Sequence, residues 1–537
     1  MAEQKQSSSK SILLSQKLFR AMWVATTISN IGSAMQNVGG AWLMTSLAPS
    51  ALSVALLQTS TSLSVVLLAL PGGALADVFD RRRLFLGAQY FMLAAAAVLA
   101  LFTLLGIVTP SILLAFTFLV GIAAALSMPS AMGSSMEMVP KSDAQQVVTL
   151  GGVSINVGFA IGPILGGLIV AASGPWFVFT LNALSFVGLI IFLHRWHRNT
   201  RLGGLPPERV IGAMRAALRY VRYSQQIHSL FIRDLAFSIC ASALMALLPV
   251  LTRQELRFDS TAFGVLVGCL GFGAILGGFV VIPLLPKKIS VEWRVGVSTV
   301  IFAGLLATLA YQSNIVVLCL AMIAGGISQL IIISNLNFSS YSNSPKWIGI
   351  RVLAVHIVIF QAGMTGGSLL WGVVATQIGI SNALLIATIG LGIGLVTATR
   401  YRLFQDKNID MTPSLHWPVP QVICSITPDD MQVLIQIEYI IDPARSDTFG
   451  CAIRELKNLR LRDGATNWGI FYDVANPNRY VETFRTESWI EHLRFHERFT
   501  KTDKEIEDRV LAFHIGKAAP IVSHFIDASM IGDDKRS

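Results

Sequence analysis

Charge is what this 537-residue chain has least of, and the shortage is local. Residues 1–409 carry 26 Lys+Arg and 11 Asp+Glu, about 9% charged, whereas residues 410–537 carry 15 and 20, about 27%. A soluble surface needs far more charge than the first part supplies, which excludes a soluble fold for it and leaves a membrane body. The tail has ordinary globular composition. Cysteine is scarce too. Cys240, Cys269 and Cys319 fall in apolar runs and Cys424 and Cys451 in the tail, which excludes a disulfide framework and fits a reducing compartment. The polar, basic residues 1–20 lack a small-residue cleavage site and read as a cytosolic leader. The net charge of +10 is +15 on the body against −5 on the tail. The basic residues lie in turns between apolar runs, so anionic lipid is the expected partner and nucleic acid is not.

What is present in quantity is long apolar sequence. A bilayer-spanning helix needs roughly 20 apolar residues. Twelve runs meet that length, at 21–46, 53–76, 84–105, 111–136, 146–172, 176–194, 230–252, 262–286, 293–312, 315–336, 350–376 and 380–400. Twelve spans put both termini and all the long basic loops on one side. The other side holds only Arg253 and Arg257 and four turns with no basic residue. The positive-inside rule then places the termini in the cytosol. The expected organisation is a leader (1–20), a six-helix half (21–194), a cytosolic linker (195–229), a second six-helix half (230–403), a linker (404–430), an α+β domain (431–527) and a short end (528–537). Within the central linker, Pro206-Pro207-Glu208 marks a helix start, and Met214–Tyr223 is amphipathic with Arg215, Arg219 and Arg222 on one face.

The turn after the second run reads Gly73-Ala-Leu-Ala-Asp77-Val-Phe-Asp80-Arg81-Arg82-Arg83. It resembles the G-x-L-A-D-[RK]-x-G-R-[RK] signature of the major facilitator superfamily, with Val78 in place of the basic residue and Asp80 in place of the glycine. Small residues at Gly73 and Ala76 permit close helix approach. The resemblance implies that Gly73, Asp77, Arg81, Arg82 and Arg83, with Arg351 before the eleventh run, form a cytosolic gate. A solvated topogenic turn is the plainer alternative. In the fifth run, Gly158, Gly162, Pro163, Gly166 and Gly167 resemble the glycine-proline motif of antiporters in that superfamily. Physically they make a smooth face and interrupt the backbone ladder at Pro163, which serves helix packing equally well. The glycine-rich eighth run sits inside an apolar helix with no strand before it, which argues against a phosphate loop.

Polar residues inside spans point to a substrate path. Asn30, Ser33, Gln36, Asn37, Asn156, Gln329, His356 and Gln361 are the cavity candidates, a neutral hydrogen-bonding set, with helix–helix contact as the alternative for each. Carboxylates near spans are few. Asp234 is the leading proton-coupling candidate and Glu137 the second, although Asp234 stands beside Arg233 and a local pair would account for it.

The tail changes period. Val433–Ile441, Trp468–Val474, Arg479–Phe484 and Ala519–Ile526 read as strands, and Ser446–Leu461 and Ser488–Phe499 as helices. A third helix opens on the capping box Thr502-x-x-Glu505. The order β-α-β-β-α-α-β suggests a ferredoxin-like α+β sandwich, similar to small monooxygenase-type domains that commonly dimerise. His492 and His496 have metal-capable spacing, but the glutamate of H-E-x-x-H is missing and the charged neighbours favour a solvated face, so neither metal nor cofactor is expected. No catalytic constellation is visible, which disfavours a membrane-tethered enzyme or sensor.

Together with Trp347-Ile-Gly-Ile-Arg351, Gln361-Ala-Gly363, Ser368-Leu-Leu-Trp-Gly372, Arg460-Leu-Arg462-Asp463-Gly464-Ala465, Glu487-Ser-Trp489 and Glu491-His492-Leu493-Arg494, the gate motif resembles the transmembrane secretion effector branch of the major facilitator superfamily, which is related to the enterobactin exporter. That resemblance implies efflux of a small molecule from a bacterium across its inner membrane, driven by protons.

Overall fold

In the computed structural model the described residues are 17–78, 80–140, 143–196, 210–286, 288–345, 347–403, 410–414, 416–417 and 432–526. The chain forms two compact units. One comprises 1–207, 230–338 and 356–403; the other comprises 208–229, 339–355 and 404–537.

The first unit is helical. Its helices are α1 (Lys17–Leu47), α2 (Ala51–Val78), α3 (Arg81–Leu104), α4 (Pro110–Glu137), α5 (Ala144–Ser173) and α6 (Pro175–Arg195). After α7 (Val210–Tyr223), which belongs to the other unit, follow α8 (Gln225–Val250), α9 (Ser260–Leu276), α10 (Val291–Tyr311), α11 (Ile315–Ser342), α12 (Gly349–Ile378) and α13 (Ile380–Arg400). Eleven helices among the described residues are long and apolar enough to cross a membrane. Helix α1, the first of the twelve expected spans, is not among them. Its 31 residues include Asn30, Ser33, Gln36 and Asn37, which dilute its apolar character.

Local chemistry sets the helix ends. The side chains of Asp80 and Asp259 accept from the backbone N–H of Arg83 (3.0 Å) and Ala262 (2.9 Å), capping α3 and α9. Gly174 and Gly379 adopt φ of +87° and +92°, which lets the chain reverse in one residue between α5 and α6 and between α12 and α13. Inside the bundle, serine and threonine hydroxyls donate to carbonyls three or four residues back, as Thr299 does to Val295 (2.8 Å) and Thr376 to Gly372 (2.8 Å). Those bonds satisfy these two hydroxyls inside otherwise apolar helices.

The second unit contains α7 and a four-stranded antiparallel sheet. Its tail elements are β1 (Val433–Ile440), α14 (Ser446–Asp463), β2 (Thr466–Tyr472), β3 (Arg479–Thr486), α15 (Trp489–Arg498), α16 (Lys501–Leu511) and β4 (Ile521–Ile526). The sheet order is β2-β3-β1-β4, with Val433 opposite both Thr486 and Ile526. Strand β1 alternates, burying Val433, Ile435, Ile437 and Tyr439. These pack with Phe449, Ile453 and Leu456 of α14 and with Phe495 and Phe499 into one core. Each such side chain contributes about 1.5–3 kcal/mol on burial.

One helix start differs from expectation. The capping box of α16 is Thr500 with Asp503, not Thr502 with Glu505. Thr500 accepts from the Asp503 backbone N–H (3.3 Å), and the Asp503 carboxylate accepts from the Thr500 N–H (3.0 Å). Asp503 also pairs with the buried Arg462, a partner Glu505 lacks, and that fixes the frame. The proline start of the linker helix at Pro206–Glu208 lies outside the described residues.

Candidate functional site

The α1 polar residues divide once their partners are known. Asn30 donates to the Ser154 hydroxyl of α5 (2.9 Å), which also accepts from Thr27 (2.9 Å). Gln36 is buried and accepts from Asn182 of α6 (2.6 Å), so it is a helix–helix contact and not a cavity residue. Asn37 is exposed, while Ser33, Asn156, Gln329 and Gln361 are half-buried.

The glycines of α5 mark a three-helix junction. Gly158, Gly162 and Gly166, four residues apart, lie on α1: a Cβ at Gly158 would stand 3.0 Å from Asn30, and one at Gly166 3.0 Å from Met35. Gly167 instead meets Gly264 of α9, whose own close neighbour is the Pro163 carbonyl. The Ser260 hydroxyl donates to the Gly167 carbonyl (3.1 Å). Close packing thus accounts for every glycine of the motif.

At the gate turn, the Gly73 and Asp77 side chains lie outside the described residues. Arg81 sits 3.6 Å from Glu137 at the end of α4. That pair gives Glu137 a structural partner and weakens it as a coupling group. Arg82 donates to the carbonyls of Leu193 (2.8 Å) and His194 (2.9 Å) at the end of α6. Arg83 contributes its backbone N–H to the Asp80 cap, and Arg351 lies in the first turn of α12.

Asp234 and His356 come together. Asp234 on α8 is fully buried, and its Oδ2 lies 3.3 Å from Nδ1 of His356 on α12, also buried. The distance suits an ion pair, but the atoms are not aligned for a hydrogen bond. Arg233, the neighbour that offered a local explanation, points elsewhere: it pairs with Glu292 of α10, which also accepts from the Leu403 N–H (3.0 Å). Phe231 stacks on the His356 ring. Helices α8 and α12 are locked close together near this pair. A Cβ at Gly363 would stand 2.9 Å from Cβ of Ser238, and Trp371 donates to the Ile239 carbonyl (2.7 Å). On its other side α12 reaches α2 through the Thr59–Ser368 hydrogen bond (2.8 Å).

The tail histidines are not a solvated face. His492 is 2% exposed, with His496 and His524 rings 4.7 and 4.8 Å from its own. Burial, and then the neighbouring histidines, push His492 down to about 3. His496 is pushed down to about 4, again chiefly by burial. The sequence hid this because the third ring, on β4, is remote in the chain. Among the described residues no group of three His, Cys, Asp or Glu side chains has a metal-holding arrangement.

Comparison with known proteins bears on the whole chain. The family described as transmembrane secretion effector matches residues 8–531. The staphyloferrin A transporter of Staphylococcus aureus is 24% identical over 390 residues, 71% of this chain and 94% of that protein. The enterobactin exporter EntS of Shigella flexneri is 25% identical over 279 residues, 50% of this chain and 63% of that protein. Among solved structures, the nucleoside transporter NupG superposes with a TM-score of 0.59 at 13% identity. That match covers 72% of this chain and all of the other. An inward-facing bacterial homologue of the human lysosomal transporter Spinster gives 0.58 at 14%, covering 72% and 96%. At these identities the structural likeness speaks for the transporter fold alone.

Proposed function

The chain belongs to the transmembrane secretion effector family of major facilitator transporters, and from that premise we propose that it is a proton-coupled exporter of a small molecule. In this reading it works by alternating access across a bacterial inner membrane, with α1 as a twelfth span, two six-helix halves and both termini in the cytosol. Such an exporter needs a carboxylate that exchanges a proton inside the bundle. The observation that carries the proposal is the Asp234–His356 pair, buried, off hydrogen-bond alignment, and bridging two helices. An intramembrane acid–base pair held in that way is poised to change protonation and geometry together. The half-buried amides Asn156, Gln329 and Gln361 make a neutral cargo path. The gate remains the turn from Gly73 to Arg83 with Asp77, and Asp77→Asn should slow transport without affecting insertion.

The names of two relatives, for staphyloferrin A and enterobactin, make a siderophore-type molecule the first cargo class to test. For the tail we propose a ferredoxin-like domain. The strand order β2-β3-β1-β4 supports that reading, and the apolar side chains exposed on edge strand β4, Ile521, Val522 and Phe525, support pairing with a second copy.

The test compares metabolites inside and outside cells expressing wild type, Asp234→Asn or no transporter, with and without a protonophore. A compound that leaves only with wild type and an intact proton gradient is the expected result. Export that is unchanged in Asp234→Asn and indifferent to the protonophore would remove the coupling assignment.

A further inference from the structure

Three motif residues of the tail, Arg462, Glu487 and Glu491, reach helix α7, and Arg498 beside them reaches the turn before α12, all within one compact unit. Tyr220 of α7 is fully buried. The Arg462 guanidinium covers its ring at 5.4 Å, and Trp347, from the turn before α12, meets it edge-on at 6.2 Å. Arg462 is fixed by Asp463 (2.8 Å) and Asp503 (2.6 Å). The Arg498 guanidinium lies 4.6 Å from the Trp347 ring and donates to the Asp463 carbonyl (2.8 Å) and to Glu491. Glu491 in turn holds Arg219 of α7 (3.5 Å). Tyr220, Arg462, Asp463, Arg498 and Trp347 therefore close a ring, and Gly464, at φ +138°, makes the tight turn in its middle.

Each segment gripped by this ring leads directly into a helix of the Asp234–His356 pair. Tyr220 precedes Asp234 by 14 residues and Trp347 precedes His356 by nine. The first turns of both helices, through Ser229 of α8 and Val355 of α12, belong to the same unit as the tail.

We infer that the tail domain is a clasp that holds the starts of α8 and α12 in register and so positions the Asp234–His356 pair. Tyr220, Trp347, Arg462 and Arg498 are its positioning residues. The clasp rests on the coupling reading only for what it positions, not for its own geometry. It gives the tail a role in transport without catalysis, and it accounts for the burial of the motif residue Arg462 against the Tyr220 ring.

The experiment uses full-length protein in lipid nanodiscs with its five cysteines replaced and spin labels at His228→Cys and Ile350→Cys, both exposed. Wild type should give one narrow distance. Trp347→Ala should broaden it, Trp347→Phe should restore it, and truncation after Arg402 should broaden it whatever the tail's stability. A narrow distance that survives both Trp347→Ala and the truncation would overturn the clasp. For the pair, Asp234→Cys with His356→Cys should form a disulfide under mild oxidation about tenfold more slowly when Trp347→Ala is added, the scale of one lost ring–cation contact and one lost ring–ring contact. An unchanged rate would show that the clasp does not position the pair. Failure of the parent double-cysteine protein to cross-link would instead count against the pair geometry, and the spin-label distances would still decide the clasp.

Discussion

The two compact units hold their most deeply buried carboxylates, Asp234 in one and Asp463 and Glu482 in the other, in opposite ways. In the tail, Arg460 sits between Glu482 (3.3 Å) and Glu507 (2.8 Å), and Arg462 between Asp463 and Asp503, each with aligned hydrogen bonds. In the bundle, Asp234 and His356 approach to 3.3 Å and neither is aligned. A fully satisfied network is rigid, because every alternative geometry loses a charge-assisted bond in a low dielectric. A buried pair with open valences has less to lose on moving. The tail's charges therefore define structure, and the bundle's pair is where a change of state costs least.

The sharpest way to break that comparison is to remove one partner from each side. Arg460→Ala leaves Glu482 buried without a cation and Glu507 with only His416, and should destabilise the tail by about 3–5 kcal/mol. Hydrogen exchange at β1 and β3 in the full-length protein reads this directly. If those strands stay as protected as in wild type, the network is not what holds the tail.

Acid tests the same unit more gently. His492 and His496 titrate at about 3 and about 4 in the fold, below the ordinary value of 6.5. Neutral rings are favoured in the native state, so their stabilisation is complete above pH 6.5 and is lost as pH falls toward those values. His492 removes up to about 2 kcal/mol between pH 6.5 and 5. The half-buried His496 removes less, because water screens part of its environment. Arg462 and Arg460, outweighing burial, hold Asp503 and Glu507 below the usual carboxylate range, so these do not protonate in that window. Asp463, which burial pushes up, opposes part of the loss. The tail's thermal transition should thus drop between pH 7 and 5, and His492→Phe should blunt the drop. A transition independent of pH would mean the histidines are solvated after all.

The contrast also shows what the sequence could carry. Span length and apolar runs located the helices, because a bilayer demands both from contiguous residues. Strand β1 was legible from its alternation. Partners were not. Arg233 is the chain neighbour of Asp234, but successive residues on a helix point about 100° apart, so adjacency misled and the true partner lies on α12. Gln36 reads as a cavity amide until Asn182 is seen to bond it. The capping frame read at Thr502 lies two residues late, and the distant Arg462, paired with Asp503, holds the observed frame at Thr500. His492 looks solvated among Glu491 and Arg494 because the strand that covers it is β4, on the far side of α16 in the chain. In each case a periodic pattern reported which face was apolar, and a long-range contact decided what the polar residue did there.

A smaller effect, of opposite sign, is expected in the bundle. Asp234→Asn removes a buried charge that has no aligned hydrogen bond, so the folded bundle should lose nothing and gain up to about 2 kcal/mol. Thermal unfolding in detergent would show it as a raised transition in a protein that no longer exports. A loss comparable with that of Arg460→Ala would make Asp234 a structural charge like those in the tail, and the distinction between the units would fall.

The smallest effect concerns the rim of the clasp. Arg215 and Glu487 pair at 3.0 Å, but both are well exposed, at 63% and 44% of their side chains. Water screens such a pair and two long side chains must be ordered to form it, so a double-mutant cycle of Arg215→Ala and Glu487→Ala should give about 0–1 kcal/mol of coupling. The neighbouring pair of Arg219 and Glu491 is longer, at 3.5 Å, but it is less than one-sixth exposed and shares Glu491 with Arg498. If burial is what gives the clasp its grip, the cycle between Arg219 and Glu491 must exceed the cycle at the rim. Equal couplings would place the grip in surface electrostatics, and raising the salt concentration would then release the spin-label distance that Trp347 is expected to hold.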